Sequence, residues 1–490
     1  MPTVITRPIT ALAVAVAAVT LAACSSEPPT AAGPEGPDLH LARSEGKVAL
    51  CHVDESRARI LEVGRPALAA HLAHGDYLTT LVVSHEFSAP SDGGQFRRIG
   101  DALAEARTGR LARGELVSAA CRITIIVSAD AYPGTATGPA SGDVEQFPLV
   151  VDVPDITLRG AMVMGSDETG KATGEASNGQ ETTLLPVEPL PVVAGASTPI
   201  IVADAHPGGS AGNGFTAEGF VFESGHDPAV DAGGQGILTL RVTGLTVRGN
   251  RFGGGFTESI DMRASSGAVV RNHLGGTAGT CDVCVAGPGK YRVTGNRLLA
   301  GGIPGIAVSA VVGLPVPAGI EPLDLPVTAE TWAEVRNNDV RDHRRLPVGV
   351  GIRVDAIGVG APNVHNTIHA RIRDNLLVNN RFGLIVHAAF PVAGTDRTGN
   401  VDVTLGGNHI EQSCQAKLLV SLSRHTTALG LTNNPYMLNS TFQLSLAGDL
   451  SWDEAWYGHA AGFGNTLIVD GQTIANGGRQ FYDAAGCPGL

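Results

Sequence analysis

Seven short phrases of this chain end in the same way. They read LTVRGNRF from Leu245, VVRNHL from Val269, YRVTGNRL from Tyr291, AEVRNND from Ala333, ARIRDNLL from Ala370, VTLGGNHI from Val403 and LGLTNNPY from Leu429. Each carries apolar residues at alternating positions into an Asn: Asn250, Asn272, Asn296, Asn338, Asn375, Asn408 and Asn434. Successive Asn residues lie 22, 24, 42, 37, 33 and 26 positions apart. Period-two alternation is the pattern of a β-strand. Its return every 20 to 45 residues, with room for inserted loops, is the pattern of a solenoid. One coil cannot bury its own apolar face, whereas coils stacked about 4.8 Å apart share a core and pair every strand with its neighbours. Asn suits the repeated bend because it tolerates left-handed backbone and bonds locally, and stacked carboxamides bond along the axis. The Asn column is therefore structural rather than a ligand site.

A second strand recurs between these phrases. Its apolar pairs are Ile260 and Met262, Ile306 and Val308, Ile352 and Val354, Leu384 and Val386, then Leu418 and Val420, with Cys281 and Val283 placed in the same register. Frequent Gly (64 residues) and scarce aromatics (4%) agree with short strands and many turns. Upstream, FRRIGDALAEA (96–106) puts Ile99, Leu103 and Ala106 on one helical face. The strand-like stretches CRITIIVSADAYPG and FPLVVDVPDITLRG follow, the latter opening within the phrase Glu145-Gln146-Phe147-Pro148-Leu149.

This order resembles the start of the pectin-lyase-like superfamily, with the phrase at Glu145 similar to one in an uncharacterised bacterial domain of it. The resemblance covers about residues 90–480. It implies an all-β fold, a right-handed parallel β-helix with an N-terminal capping helix at 96–106, over residues 90–490. A closing segment at 440–490 would place Trp452, Trp456 and Tyr457 over the last open coil. Residues 165–200 read as a polar loop insertion, and 313–330 as an irregular excursion.

The N-terminal residues read as a processing segment. Arg7 precedes an apolar run from Ile9 to Leu21, too short for a confident membrane span. Leu21-Ala22-Ala23-Cys24 resembles the lipobox of bacterial lipoproteins, which implies a signal peptide over 1–23 and lipidation of Cys24. Residues 24–46, rich in Ser, Pro, Ala and Gly, read as a flexible tether to the membrane. Ser25 after the Cys implies outer-membrane sorting, hence a cell-envelope or cell-surface location. An ordinary secretory signal with a chance Cys is the alternative. The other six cysteines permit three disulfides in fifteen pairings, and Cys281–Cys284 would need a bend if both lie on one strand. A net charge of −13 offers no basic footprint for nucleic acid, and a monomer is expected.

Candidate chemistry falls in two places. The alternate positions of the second strand face outward and give two columns: Arg263, Cys284, Ser309, Asp355, His387 and Ser421, beside Asp261, Asp282, Ala307, Arg353, Ile385 and Leu419. Asp261, Asp282, Arg353, Asp355 and His387 are the candidate catalytic set, and Asp355, His387 and Ser421 stand in the order acid, base, hydroxyl. β-Helix lyases pair Ca²⁺-binding acids with a base, and β-helix polygalacturonases cluster Asp residues. The His-Gly and Arg-Ile-Lys phrases of the latter are absent, and RDHRR at Arg341 reads as a solvated turn. The second place is a small Cys/His module over 47–82, resembling a Cys-His…His-Leu-x-His-Gly-Asp segment of exported bacterial proteins. Its Cys51, His52, His71 and His74, with Asp76 nearby, offer donors for a metal such as zinc, although a Cys51–Cys121 disulfide would serve the fold instead. Two functions follow: a surface protein that binds carbohydrate, or a polysaccharide lyase or glycosidase working at the outward columns.

Overall fold

From Thr243 onward the strands come in threes. A strand of five to nine residues leads to the Asn bend, a three-residue strand follows, then a six-residue strand, and the next coil begins. In the computed structural model these strands assemble into three long sheets, of 14, 10 and 11 strands, here called sheets 1, 2 and 3. The chain visits sheets 1, 2 and 3 in turn, and the coil-to-coil pairings are parallel. This is a right-handed parallel β-helix. The structure describes residues 47–479, apart from 55–56, 88–93, 112–120, 194–195, 206–210, 227–232, 276–278, 301–303, 310–327, 345–348, 357–364, 388–397, 422–439, 460–463 and 476. None of the described helices is long and apolar enough to cross a membrane.

The core is a stack of aligned aliphatic pairs. Ile260 and Met262 lie in register with Val283 and Val285, then Ile306 and Val308, Ile352 and Val354, Leu384 and Val386, and Leu418 and Val420. Val354 and Val386 are fully buried. One detail differs from the sequence reading: Val283 and Val285 fill the inward slots, not Cys281 and Val283. A slip of two residues preserves the inward/outward alternation, so periodicity alone cannot detect it.

The Asn column is continuous from Asn250 to Asn408. Each inner member donates from Nδ2 to a backbone carbonyl and to the next Asn Oδ1, which also accepts the backbone N–H; for Asn296 the partners are Val269 O and Asn338 Oδ1, all at 3.0 Å. The ladder ends on Asp449, whose Oδ2 accepts the Nδ2 (2.7 Å) and backbone N–H (2.9 Å) of Asn408. Asn434 lies outside the described residues.

Helix α1 (Arg65–Ala73) belongs to the N-terminal module and helix α2 (Ile99–Leu111) lies at the start of the β-helix. Helix α2 buries Ile99, Ala102, Leu103 and Ala106. The phrase at Glu145 now has a physical reason. Its carboxylate accepts the N–H groups of Ile99 (2.5 Å) and Gly100 (3.0 Å), which have no partner within the helix. The following Phe147–Pro148 bond is cis, and the Phe147 ring covers Gly134, where a Cβ would come within 2.3 Å of it. Glu145→Ala should cost about 1–2 kcal/mol through loss of this cap, read as a lower urea midpoint, while an unchanged midpoint would refute the capping role.

Residues 47–78 form an antiparallel sheet of Lys47–Asp54, Arg57–Gly64 and Tyr77–Leu78, with α1 against it. The disulfide Cys51–Cys121 (Cα–Cα 5.7 Å) ties it to the β-helix, and Thr80–Val83 already belongs to sheet 1. The 165–200 segment is more regular than a loop. Thr182–Pro186 is a sheet 2 strand, and Met164–Ser166 with Ala172–Ala176 makes a hairpin. At the far end Gln472–Ile474 pairs antiparallel with Thr466–Val469, and Trp452 and Tyr457 pack on the core with rings 5.0 Å apart. The side chain of Trp456 and most of the 313–330 excursion lie outside the described residues.

Candidate functional site: the outward face of sheet 3

Six successive sheet 3 strands bend at one column, occupied by Gly236, Ser259, Asp282, Gly305, Gly351 and Gly383, which the register skips. The bend brings residues three apart onto the same outward side. Cys281 and Cys284 therefore reach each other in a disulfide (Cα–Cα 5.8 Å) and, with Ala307, form a small cluster separate from the core. The bend column itself points inward. A Cβ on Gly305 would meet the core residue Val340 at 2.5 Å and His343 Nε2 at 3.1 Å.

Asp282 occupies this inward column one rung before Gly305, and this corrects its assignment to the outward set. Its Oδ2 lies 2.9 Å from His343 Nε2, with both side chains at 0% exposure. His343 belongs to RDHRR, so that phrase is not wholly a solvated turn: its central residue is buried, reaching past Gly305 to a buried carboxylate. No sequence signal marked it, because the room comes from a glycine in another coil.

The remaining outward residues form two clusters. In the first, Gln235 Nε2 bonds both Glu258 Oε2 (3.0 Å) and Asp261 Oδ2 (3.1 Å), so about 6 Å at most separates the two carboxylate oxygens. Arg263 pairs with Asp261 through Nε (2.8 Å) and Nη2 (2.6 Å). Burial and the adjoining Asp261 charge push the Glu258 carboxyl up to about 7, outweighing the Gln235 bond and Arg263. In the second cluster, Asp355 stands in register between Ser309 and His387. Its carboxylate accepts Ser309 Oγ (3.0 Å) and Arg353 Nε (2.8 Å), and pairs with His387 Nε2 (2.6 Å). One rung, carrying the Cys281–Cys284 disulfide and Ala286, lies between the clusters.

The structure thus brings Arg353, Asp355 and His387 together, sets Asp261 apart with Glu258, and removes Asp282. Ser421 follows His387 in register, but its side chain lies outside the described residues. The two-residue slip also corrects the columns: Asp261 aligns with Cys284, and Arg263 with Ala286. A further correction concerns exposure. The outward face does not present these side chains to solvent: Asp261, Arg263, Arg353, Asp355 and His387 are 0 to 7% exposed. They neutralise one another in pairs, as buried charges must. Glu258 and Gln235 escaped the sequence reading because the bend turns their column outward, against strict alternation.

In the N-terminal module the donors regroup. Cys51 is bonded to Cys121 and leaves the metal set. His52 Nδ1 (2.9 Å) and His71 Nδ1 (2.7 Å) both point at Asp76 Oδ2, and Val53 N–H reaches Oδ1. His52, His71 and Asp76 bring one donor atom each within 4.8 Å of the others, a set that a zinc-like ion accepts. His74 stays at the C-cap of α1, outside this trio. Burial pushes Asp76 up, but the bonds from His52, His71 and Val53 outweigh it and hold the carboxyl below its ordinary value. Asp76→Ala should cost about 1–3 kcal/mol at pH 7. The folded carboxyl titrates below the unfolded one, so this contribution is present above about pH 4 and shrinks as pH falls below it. The gap between the melting temperatures of the two proteins should narrow as pH falls below about 4; a constant gap would refute the carboxylate's role.

No family model matches the chain, and no curated protein matches it. Among solved structures, the A-module of the Azotobacter vinelandii mannuronan C-5 epimerase AlgE4 aligns at 13% identity and TM-score 0.33, covering 79% of this chain and 94% of that one. The endo-xylogalacturonan hydrolase of Aspergillus tubingensis aligns at 11% and 0.39, covering 80% and 91%. A tailspike protein of E. coli bacteriophage HK620, in complex with a pentasaccharide, aligns at 13% and 0.30, covering 87% and 82%. Likeness at this level says nothing of this chain's activity.

Proposed function

We propose that the chain is a lipid-anchored, envelope-displayed β-helix that binds carbohydrate beside the outward face of sheet 3. The observation that carries this reading is topological. Four successive sheet 3 strands, ending at Ser309, Asp355, His387 and Ser421, are each followed by a long connection: 310–327, 356–364, 388–397 and 422–440. The two longest connections between the described elements, 310–327 and 422–440, thus leave one edge of the sheet that bears the Asp355 cluster. Long loops held at one edge of a rigid sheet are where a solenoid carries binding residues. Support for the anchor is the run Leu21-Ala22-Ala23-Cys24 and its tether, which lie outside the described residues.

A second reading, cleavage of the bound glycan, is favoured by the Glu258–Asp261 pair. A carboxyl that holds its proton near neutrality beside a second carboxylate paired with Arg263 is an arrangement of the kind glycosidic cleavage uses. Burial of both groups puts binding first. Incubating the full chain with acidic and neutral polysaccharides decides between them. Retention of a glycan without new reducing or unsaturated ends supports binding. Release of such ends, abolished by Glu258→Gln, replaces binding with cleavage, and neither outcome with any glycan refutes both.

A further inference from the structure

A face of the β-helix open to solvent lies elsewhere, on sheet 1. Three successive strands there, Thr328–Arg336, His365–Arg373 and Thr398–Gly406, are nine residues long and pair in register throughout. The preceding sheet 1 strand, Gly289–Thr294, has six. The lengthening widens the sheet, and its outward residues alternate cleanly with buried ones. Lys290, Trp332, His369 and Asp402 form one outward column, and Arg292, Glu334, Arg371 and Thr404 the next.

Two features mark this platform. Trp332 is 41% exposed, the only aromatic among the exposed large hydrophobics of the described residues. Its ring lies flat on His369, with centroids 3.9 Å apart and planes 16° apart. The imidazole backs one face of the indole and holds it in place, while the rest of the indole stays open to solvent. The second feature is charge. Lys290, Arg292, Arg336, Arg371 and Arg373 surround Glu330, Glu334 and Asp402, a locally basic patch on a chain of net charge −13. Arg336 and Arg373 both pair with Glu334. Arg292 and Arg371 flank Glu334 on the rungs before and after it, exposed, and neither makes an ion pair or side-chain hydrogen bond among the described residues.

We propose that this face binds an acidic polysaccharide. The apolar face of a sugar ring lies on Trp332, and carboxylate or sulfate groups pair with Arg292 and Arg371, whose planar forks match such anions. Two guanidinium groups two rungs apart, about 9.6 Å along the axis, favour a polymer with repeated anions over a single small one. The surface is separate from the outward face of sheet 3 and does not rest on that reading.

The test uses the full chain in detergent with oligouronates, a sulfated glycan, neutral dextran and duplex DNA, followed by calorimetry and tryptophan fluorescence. Oligouronates or the sulfated glycan should bind and shift the fluorescence, with affinity falling as salt rises, and which of the two binds names the anion. Trp332→Ala and the double variant Arg292→Gln/Arg371→Gln should each weaken binding by about tenfold or more without lowering the melting temperature, since all three residues are exposed. Arg59→Gln, an exposed cation of the N-terminal sheet, should leave this affinity unchanged. Unaltered affinity in the sheet 1 variants overturns the proposal, as does equal binding of dextran or DNA. An equal loss in Arg59→Gln also overturns it, since any exposed cation would then serve.

Discussion

Asn338→Ala should lower the stability of the β-helix by about 3–5 kcal/mol, the cost of several buried groups losing partners at once. Asn338 is fully buried, and its carboxamide makes four hydrogen bonds. Its Oδ1 accepts the N–H and Nδ2 of Asn296, and its Nδ2 donates to Val293 O and Asn375 Oδ1. Alanine removes all four. Asn408 makes a fair control, because it is only half-buried and its partner is the C-terminal Asp449. Asn408→Ala should cost less than half as much as Asn338→Ala. Denaturant midpoints with unchanged slopes measure both. Equal losses at the two positions, or a loss below about 1 kcal/mol at Asn338, would show that the ladder merely decorates a sheet held by its apolar pairs.

The same ladder shows why so much of the fold was legible. Alternation and recurrence are properties of neighbouring residues, so Ile352 with Val354 and Leu384 with Val386 could be placed in the core from sequence. What sequence could not supply was information passed between coils. The slip that misplaced Asp261 and Asp282 moved a strand by two residues, and both registers bury a hydrophobic pair. The sheet 3 bend broke alternation at one column, sending Asp282 inward to His343 and Glu258 outward to Asp261. Asp449 took over the ladder although nothing in its local phrase resembles the Asn repeat. Trp332 was one aromatic residue in a chain poor in them, and its meaning depends on His369, 37 residues later, lying beneath its ring. Each miss is a contact at long separation whose partner the local pattern does not constrain.

Asp355 offers the second large effect. Replacing it with Ala leaves Arg353 and His387 buried without their shared counter-ion, a loss expected to cost about 3–5 kcal/mol at neutral pH. The pH dependence separates this electrostatic role from simple packing. Burial alone would push the Asp355 carboxyl up, but Arg353 and His387 beside it, with bonds from His387 and Ser309, hold it down to about 2. The unfolded carboxyl titrates near 4, so the folded state binds fewer protons between these values. Stability from this group is complete above about pH 4 and is lost as pH falls through about 2, roughly 2 kcal/mol in all. Asp355→Asn keeps the shape and removes the titration. It should be less stable than the parent at pH 6 and lose less on acidification, so the two stability curves approach each other between pH 4 and 2. Parallel curves over that interval would mean that the carboxylate is not ionised in the fold, and the charge-paired account of this cluster would fail.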